Sequence, residues 1–172
     1  MPFLKYIQDD EHYKEVLVMI ANIRQHLWIG TADIKDLYVK QGANATPFVG
    51  LLSEKVSQKV GIRLIHAKEP GANFRKDFDR YPKLWSGIER VLCPRVHFKM
   101  IIFDFKQVYI GSANLTGAGL GMKGKDTRNF ESGILTDMPD VLEKAIAHFD
   151  RVWMGIPCKT CKRKAFCGDR IV

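Results

Sequence analysis

Between His97 and Asn114 the chain has little freedom in how it can fold. Residues 96–104 (VHFKMIIFD) are β-branched, aromatic and apolar, the make-up of a strand. Residues 107–112 (QVYIGS) read as a second strand, with Phe105-Lys106 as a tight connection. Side chains two apart on a strand share a face, so His97 is expected to point with Lys99, and Ser112 with Asn114. If the two strands are neighbours, one patch holds an imidazole, an ammonium, a hydroxyl and a carboxamide. Such a patch offers a nucleophile or proton carrier, a fixed positive charge and two hydrogen-bond partners, a set suited to a tetrahedral anion such as phosphate. Asp104 stands five residues from Lys99, an odd offset, and is expected on the other face as a buttress rather than a reacting group.

The pattern that carries this reading is longer than a triplet. His66-Ala67-Lys68 repeats the His-x-Lys spacing, but Asn73 stands where the acid would be and no Gly-Ser follows. From His97 onward all six specified positions are filled: His97, Lys99, Asp104, Gly111, Ser112 and Asn114. The string H-x-K-x4-D-x6-G-S-x-N resembles the signature of the phospholipase D superfamily. The flanks resemble it too, with Asn129-Phe130-Glu131-Ser132-Gly133 like the family's acidic strand after the motif and Leu27 to Ala32 like its first core strand.

The remaining chain supplies an α/β framework. Residues 9–26 read as a helix capped by Asp9 or Asp10, with Tyr13, Val16, Leu17 and Ile20 at helical spacing. His26 to Ala32 reads as a strand and Tyr38 to Ala45 as a loop. Thr46-Pro47 is expected to cap a helix carrying Phe48, Leu51, Leu52 and Val56, which Gly61 ends. Ile62 to Ile65 is the next strand, so a β-α-β unit gives the sheet a largely parallel start. His66 to Lys76 is expected to be a loop at a strand end, where open α/β sheets place ligands, and Lys68 and Arg75 would sit on a substrate rim. The glycines and lysines from Thr116 to Lys125 suit a mobile loop, with Lys123 and Lys125 placed to meet phosphates. Phe130 to Thr136 reads as a strand on which Asn129 and Glu131 share a face. Met138 to Trp153 is an amphipathic helix, on which His148 is expected to be a surface or packing residue.

Composition narrows the partners. With 172 residues and 46% hydrophobic content the chain can bury a core. A net charge of +8 fits a polyanionic partner. No apolar run approaches the ~20 residues of a membrane span, and acids soon follow the N-terminus, unlike a secretory signal; a cytoplasmic protein is expected.

What the family resemblance implies is specific. The fold is expected to be α/β, a mixed, largely parallel sheet with helices on both faces, spanning residues 1–154. Two copies of the motif serve one active site. One histidine attacks phosphorus to form a covalent phosphohistidine; the other protonates the leaving oxygen and then activates water. This sequence carries a single copy, so a homodimer pairing two His97 residues across a twofold axis is implied. Lys99 would neutralise phosphate oxygens, Ser112 and Asn114 would bond them or orient the histidine, and Glu131 would hold a histidine ring nitrogen. Gly111 and Asp104 are structural supports. No cofactor is needed for catalysis. Small size, basic charge and the lack of an evident amphipathic membrane-binding helix favour a nuclease acting on DNA or RNA. The alternatives are a phospholipase or phosphatidyl transferase, a nonenzymatic nucleic-acid-binding module, and a subunit of a larger nuclease system.

Residues 155–172 form a separate basic tail containing Cys158-x2-Cys161-x5-Cys167. The first pair has metal-ligand spacing, and a tetrahedral site wants a fourth ligand. The only other cysteine is Cys93, four residues before His97. A site of Cys93, Cys158, Cys161 and Cys167 is therefore expected, holding structural zinc rather than an iron–sulfur cluster. It would bring Lys159, Lys162, Arg163, Lys164 and Arg170 towards the active-site mouth, where they could meet a polyanionic strand.

Overall fold

The computed structural model describes residues 1–35, 37–41 and 44–169. Arg170, named above, and positions 42 and 43 of the Tyr38 to Ala45 segment lie outside the described residues. Nine strands are described: β1 (Leu4–Gln8), β2 (His26–Thr31), β3 (Tyr38–Gln41), β4 (Asn44–Pro47), β5 (Gly61–His66), β6 (Ile88–Leu92), β7 (Lys99–Phe103), β8 (Gln107–Gly111) and β9 (Ser132–Thr136). Seven form one sheet in the order β1-β9-β8-β7-β2-β5-β6. The helices are α1 (Val18–Asn22), α2 (Phe48–Ser57), α3 (Ala72–Asp79), α4 (Lys83–Gly87) and α5 (Pro139–Trp153).

The sheet is mixed, as expected, but its parallel part is confined to β2, β5 and β6. The junctions β2/β7, β7/β8, β8/β9 and β9/β1 are antiparallel. The reason is local: β7 and β8 are joined by a three-residue turn, too short for a crossover. Asp104 and Phe105 supply that turn with φ of 51° and 54°.

Helices cover both faces, and the central strands are therefore apolar on both. On one face Leu27, Ile29, Leu64, Ile101 and Phe103 pack with Val16, Leu17, Ile20, Leu51 and Leu52. On the other, Trp28, Met100, Ile102 and Val108 meet Leu142, Ala145 and Phe149 of α5. Each such large side chain contributes about 1.5–3 kcal/mol when fully buried. Trp28 and Phe149 stack with ring centroids 4.9 Å apart. Lys99 alternates in phase with Ile101 and Phe103, which puts it on the first face.

Several local readings change. The first helix is shorter, a π-wound turn over His12–Leu17 running into α1, and no side chain caps it. Tyr38 to Pro47 is a small antiparallel pair, β3 with β4, rather than a loop and a cap. Thr46 lies in β4, and α2 starts at Phe48 without a side-chain cap. The reversal after α2 uses Lys59 at φ 64°, while Gly61 already begins β5. Arg75 and Lys76 belong to α3 rather than to a loop. The segment after Asn114 is not free throughout: Leu120 is buried, and Gly121 at φ 71° lets the backbone of Asp9 and Asp10 approach. Only Lys123 to Thr127 is an exposed run.

Candidate active site at one end of the sheet

The register gathers six chain ends at one edge of the sheet. Thr31 pairs with His66 and His66 with Leu92, where three parallel strands finish. Gly30 pairs with Met100, Lys99 with Gly111, and Gly111 with Gly133. His97, Ser112 and Asn114 stand just outside the strands, while Lys99 opens β7 and Gly111 closes β8. Pro94, lacking an N–H, sits in the turn after β6, and β7 does not begin until Lys99. His97 is thus on a connector, and Asn114 lies beyond the end of β8. The i, i+2 argument fails in detail, although the Lys99–Gly111 pairing keeps the two ends of the motif on neighbouring strands.

His97 is exposed, whereas Lys99 is 8% exposed. The Lys99 ammonium donates to the His97 carbonyl at 2.8 Å and lies 3.3 Å from its ring Nδ1. A cation is therefore fixed beside an imidazole that solvent and substrate can reach. Asn114 is anchored by its amide oxygen, which accepts from the Asp33 N–H at 3.2 Å and lies 3.4 Å from Thr31 Oγ1. Its NH2 group remains the end available to donate. Thr31 is itself buried, accepting from Leu115 N at 3.1 Å and donating to the Asp33 carbonyl at 2.9 Å.

Ser112 donates to Glu131 Oε2 and accepts from the Ser132 N–H at 3.0 Å. Asn129 Nδ2 donates to Glu131 Oε1 at 3.0 Å. Asn129 and Glu131 do meet, although both precede β9. Among the described residues Glu131 is not bonded to His97 of its own chain, because β8 stands between their two strands. Gly111 has a packing reason: a Cβ there would meet the Tyr109 hydroxyl and lie 2.6 Å from the Ser132 carbonyl.

Asp104 lies at the far end of β7 and is a buttress, as its offset implied. Its carboxylate accepts from the N–H groups of Arg24 at 3.1 Å, Gln25 at 2.7 Å and His26 at 2.8 Å. Desolvation pushes its pKa up, but the three donors together outweigh that and hold it below the usual value.

The proposed rim residues separate. Lys68 pairs with Asp33 at 3.4 Å, next to the Asn114 anchor, and both line a cavity of about 450 Å³. Arg75 pairs with Glu69 at 3.6 Å and lines a different cavity with Phe74, Phe78 and Trp85. Lys123 and Lys125 are exposed on the turn after Asn114. Sequence reasoning missed Thr31 and Asp33, whose only signal was their position at the end of a parallel strand. His148 packs against Phe98 with centroids 5.0 Å apart, a packing role as expected.

The sheet order, the covered faces and the His97–Lys99–Ser112–Asn114 cluster at the strand ends define an α/β domain of phospholipase D type. The profile of the family described as cardiolipin synthase, PLD-like domain, matches residues 16–153. The chain belongs to the phospholipase D superfamily. Among solved structures it is similar to the phospholipase D family member Nuc from Salmonella typhimurium, with TM-score 0.67 and 18% identity over 89% of this chain and 95% of that one. NucT from Helicobacter pylori gives TM-score 0.64 and 14% identity over 88% and 95%. A phosphatidylserine synthase from Haemophilus influenzae gives TM-score 0.59 and 12% identity over 86% of this chain but 36% of that one. No curated protein matches the sequence. Family and fold support phosphodiesterase-type chemistry. Among the described residues no helix is long and apolar enough to cross a membrane.

Proposed function

We propose that the chain is a homodimeric nuclease that hydrolyses phosphodiester bonds through a phosphohistidine at His97. One observation carries this: each chain brings a single exposed imidazole to the site, beside a buried lysine. The other histidines at these strand ends, His12 and His66, are both fully buried, with Nδ1 on the Asp9 carbonyl at 2.9 Å and the Lys68 carbonyl at 2.8 Å. One chain therefore offers half of a nucleophile–acid pair.

His97 donates its ring lone pair to phosphorus, an N–P bond forms and the ester P–O bond breaks. The leaving oxygen takes a proton from the partner's His97. Water then attacks phosphorus, gives its proton to that imidazole, and the N–P bond breaks. Lys99 and its mate counter the charge on the phosphoryl oxygens, and the Asn114 NH2 donates to them. Glu131, which does not reach its own His97, holds the ring nitrogen of the partner's His97. The +8 charge, with Lys123 and Lys125 exposed on the turn after Asn114, favours nucleic acid. A lipid substrate is the second reading, favoured by the family's description and by Phe130, 94% exposed next to Glu131.

Labelled single- and double-stranded DNA, RNA and phospholipid vesicles, each incubated in EDTA, test this. Nucleic-acid cleavage by the wild type, lost in His97→Ala and in mixed dimers of the two, is expected. Vesicle hydrolysis alone selects the lipid reading. A strict magnesium requirement, or full activity in a monomer shown by ultracentrifugation, removes the phosphohistidine dimer.

A further inference from the structure

The tail beyond α5 has no core of its own. It consists of two single 3-10 turns, Ile156–Cys158 and Lys164–Phe166, and neither buries a residue. Its large apolar side chains face solvent, with Ile156 62% and Phe166 70% exposed. From 156 to 169 every residue is exposed except Pro157, Cys158, Cys161 and Cys167. The hydrophobic effect cannot order such a segment, and small units of this kind need a staple. The three tail cysteines are turned inward while lysines and a phenylalanine are left outside.

They turn towards one place. The tail docks on the end of β6 and the connector that follows it, through Asp169 Oδ2 accepting from Leu92 N at 2.6 Å and Cys167 Sγ 3.7 Å from the Leu92 carbonyl. Cys93 follows directly and is half-buried. Cys93, Cys158 and Cys161 line one cavity of about 200 Å³ together with Arg95 and His148. None of the four cysteines is in a disulfide. The backbone N–H of Arg163 donates to Cys161 Sγ at 3.4 Å, and Arg95 and Arg151 line the same cavity.

We propose that Cys93, Cys158, Cys161 and Cys167 form a structural zinc site that clamps the tail onto the connector carrying His97. Zinc suits four thiolates in a closed tetrahedral shell, and the resulting net charge of about −2 would face Arg95 and Arg151, which line the same cavity. Among the described residues no three His, Cys, Asp or Glu side chains stand in a ready-made metal-holding arrangement. The thiols therefore draw closer together on binding, each giving its proton to solvent. Because Cys93 is four residues from His97, the clamp fixes the loop on which the imidazole sits. The clamp does not depend on which phosphodiester is cut.

Zinc and iron are measured in the full chain, purified without chelator, and in Cys93→Ser and Cys167→Ser. Tryptic cleavage at the exposed Lys159, Lys162, Arg163 and Lys164 is followed with and without a chelator. The expected result is about one zinc per chain, below about half in either variant, and at least a roughly tenfold faster tail cleavage once zinc is removed. The two variants lie on different segments, so a folding failure of one leaves the other to report. Zinc retained in Cys93→Ser, a metal-free chain, a disulfide among these cysteines in the isolated protein, or iron in place of zinc overturns the assignment.

Discussion

Replacing Asp104 separates the motif's structural acid from its chemistry. Asp104 accepts three backbone N–H groups at 2.7–3.1 Å, tying the segment from Arg24 to His26 to the β7–β8 turn. It lies a full strand from Lys99, on the order of 17 Å at about 3.3 Å per residue. Hydrogen bonds to charged groups contribute roughly 1.5–3 kcal/mol each, but water reaches this turn and replaces part of that. Cap-like carboxylates cost about 0.5–2 kcal/mol on removal. Its φ of 51° adds to the loss when alanine replaces an acid that tolerates this region. Asp104→Ala is therefore expected to lose about 3 kcal/mol, lowering Tm by roughly 6–12 °C for a chain of this size. Asp104→Asn keeps one acceptor oxygen and the turn, and should lose about half as much. The acid's pKa is depressed in the fold, so its contribution is complete above the unfolded value of 3.8 and fades as pH falls through the folded one. Urea denaturation at pH 7 and pH 3 measures both effects, beside turnover per folded molecule. A loss under about 0.5 kcal/mol at pH 7 would refute the buttress. So would a turnover defect as deep as that of His97→Ala in protein that is still folded.

His97→Ala is expected to cut turnover by more than about a thousandfold while leaving Tm nearly unchanged, since the ring is exposed and its truncation leaves no cavity; a Tm drop comparable to Asp104→Ala would contradict that. Gly30→Ala would place a methyl on the Phe98 ring, which lies between His97 and Lys99 in sequence, and should cost about 1–3 kcal/mol together with activity; unchanged denaturation midpoint and turnover would show that the ring moves freely. Thr31→Val leaves the Leu115 N–H without its side-chain partner and loosens Asn114, so about 1–3 kcal/mol of stability should go, with kcat falling more than KM. His12 and His66 are buried, and desolvation lowers both pKa values below 6.5. The unfolded chain then binds protons that the folded one refuses, so stability should decline as pH falls below about 6.5, and His12→Leu should flatten part of that slope in pH-dependent melting.

Patterns set by packing were legible in the sequence, and patterns set by backbone pairing were less so. The apolar runs of β2, β5 and β7 and the stripe Leu142–Ala145–Phe149 could be read because burial on a face dictates residue type directly. Edge strand β1 was not read: Leu4 and Tyr6 are 58% and 60% exposed, so no hydrophobic alternation marks it. The pair β3/β4 was taken as loop because each strand is only four residues long and Gly42 and Asn44 are turn-forming residue types in the sequence. Within the site, His97, Lys99, Ser112, Asn114 and Asp104 were legible through their spacing. Thr31 and Asp33 were not, since their task is to hold Asn114 across a distance of 83 and 81 residues in sequence.

The placement of the motif beyond the strand ends has a physical logic of its own. On a central strand both faces are buried, and an imidazole there would be desolvated like His12 and unable to meet a phosphate. Leaving the sheet one step early puts His97 in solvent while Lys99, the first residue of β7, stays anchored in the core face. The same division recurs across the sheet: Gly111 ends β8 and Ser112 steps out, Glu131 stands outside and Ser132 begins β9. His97, Ser112, Asn114 and Glu131 thus each stand within three residues of a rigid ladder. Polar clamps to backbone, such as Lys99 on the His97 carbonyl and Ser112 on the Ser132 N–H, replace the order that strand pairing no longer supplies. Groups held this way are positioned without being buried, as the proposed pairing with a second copy requires.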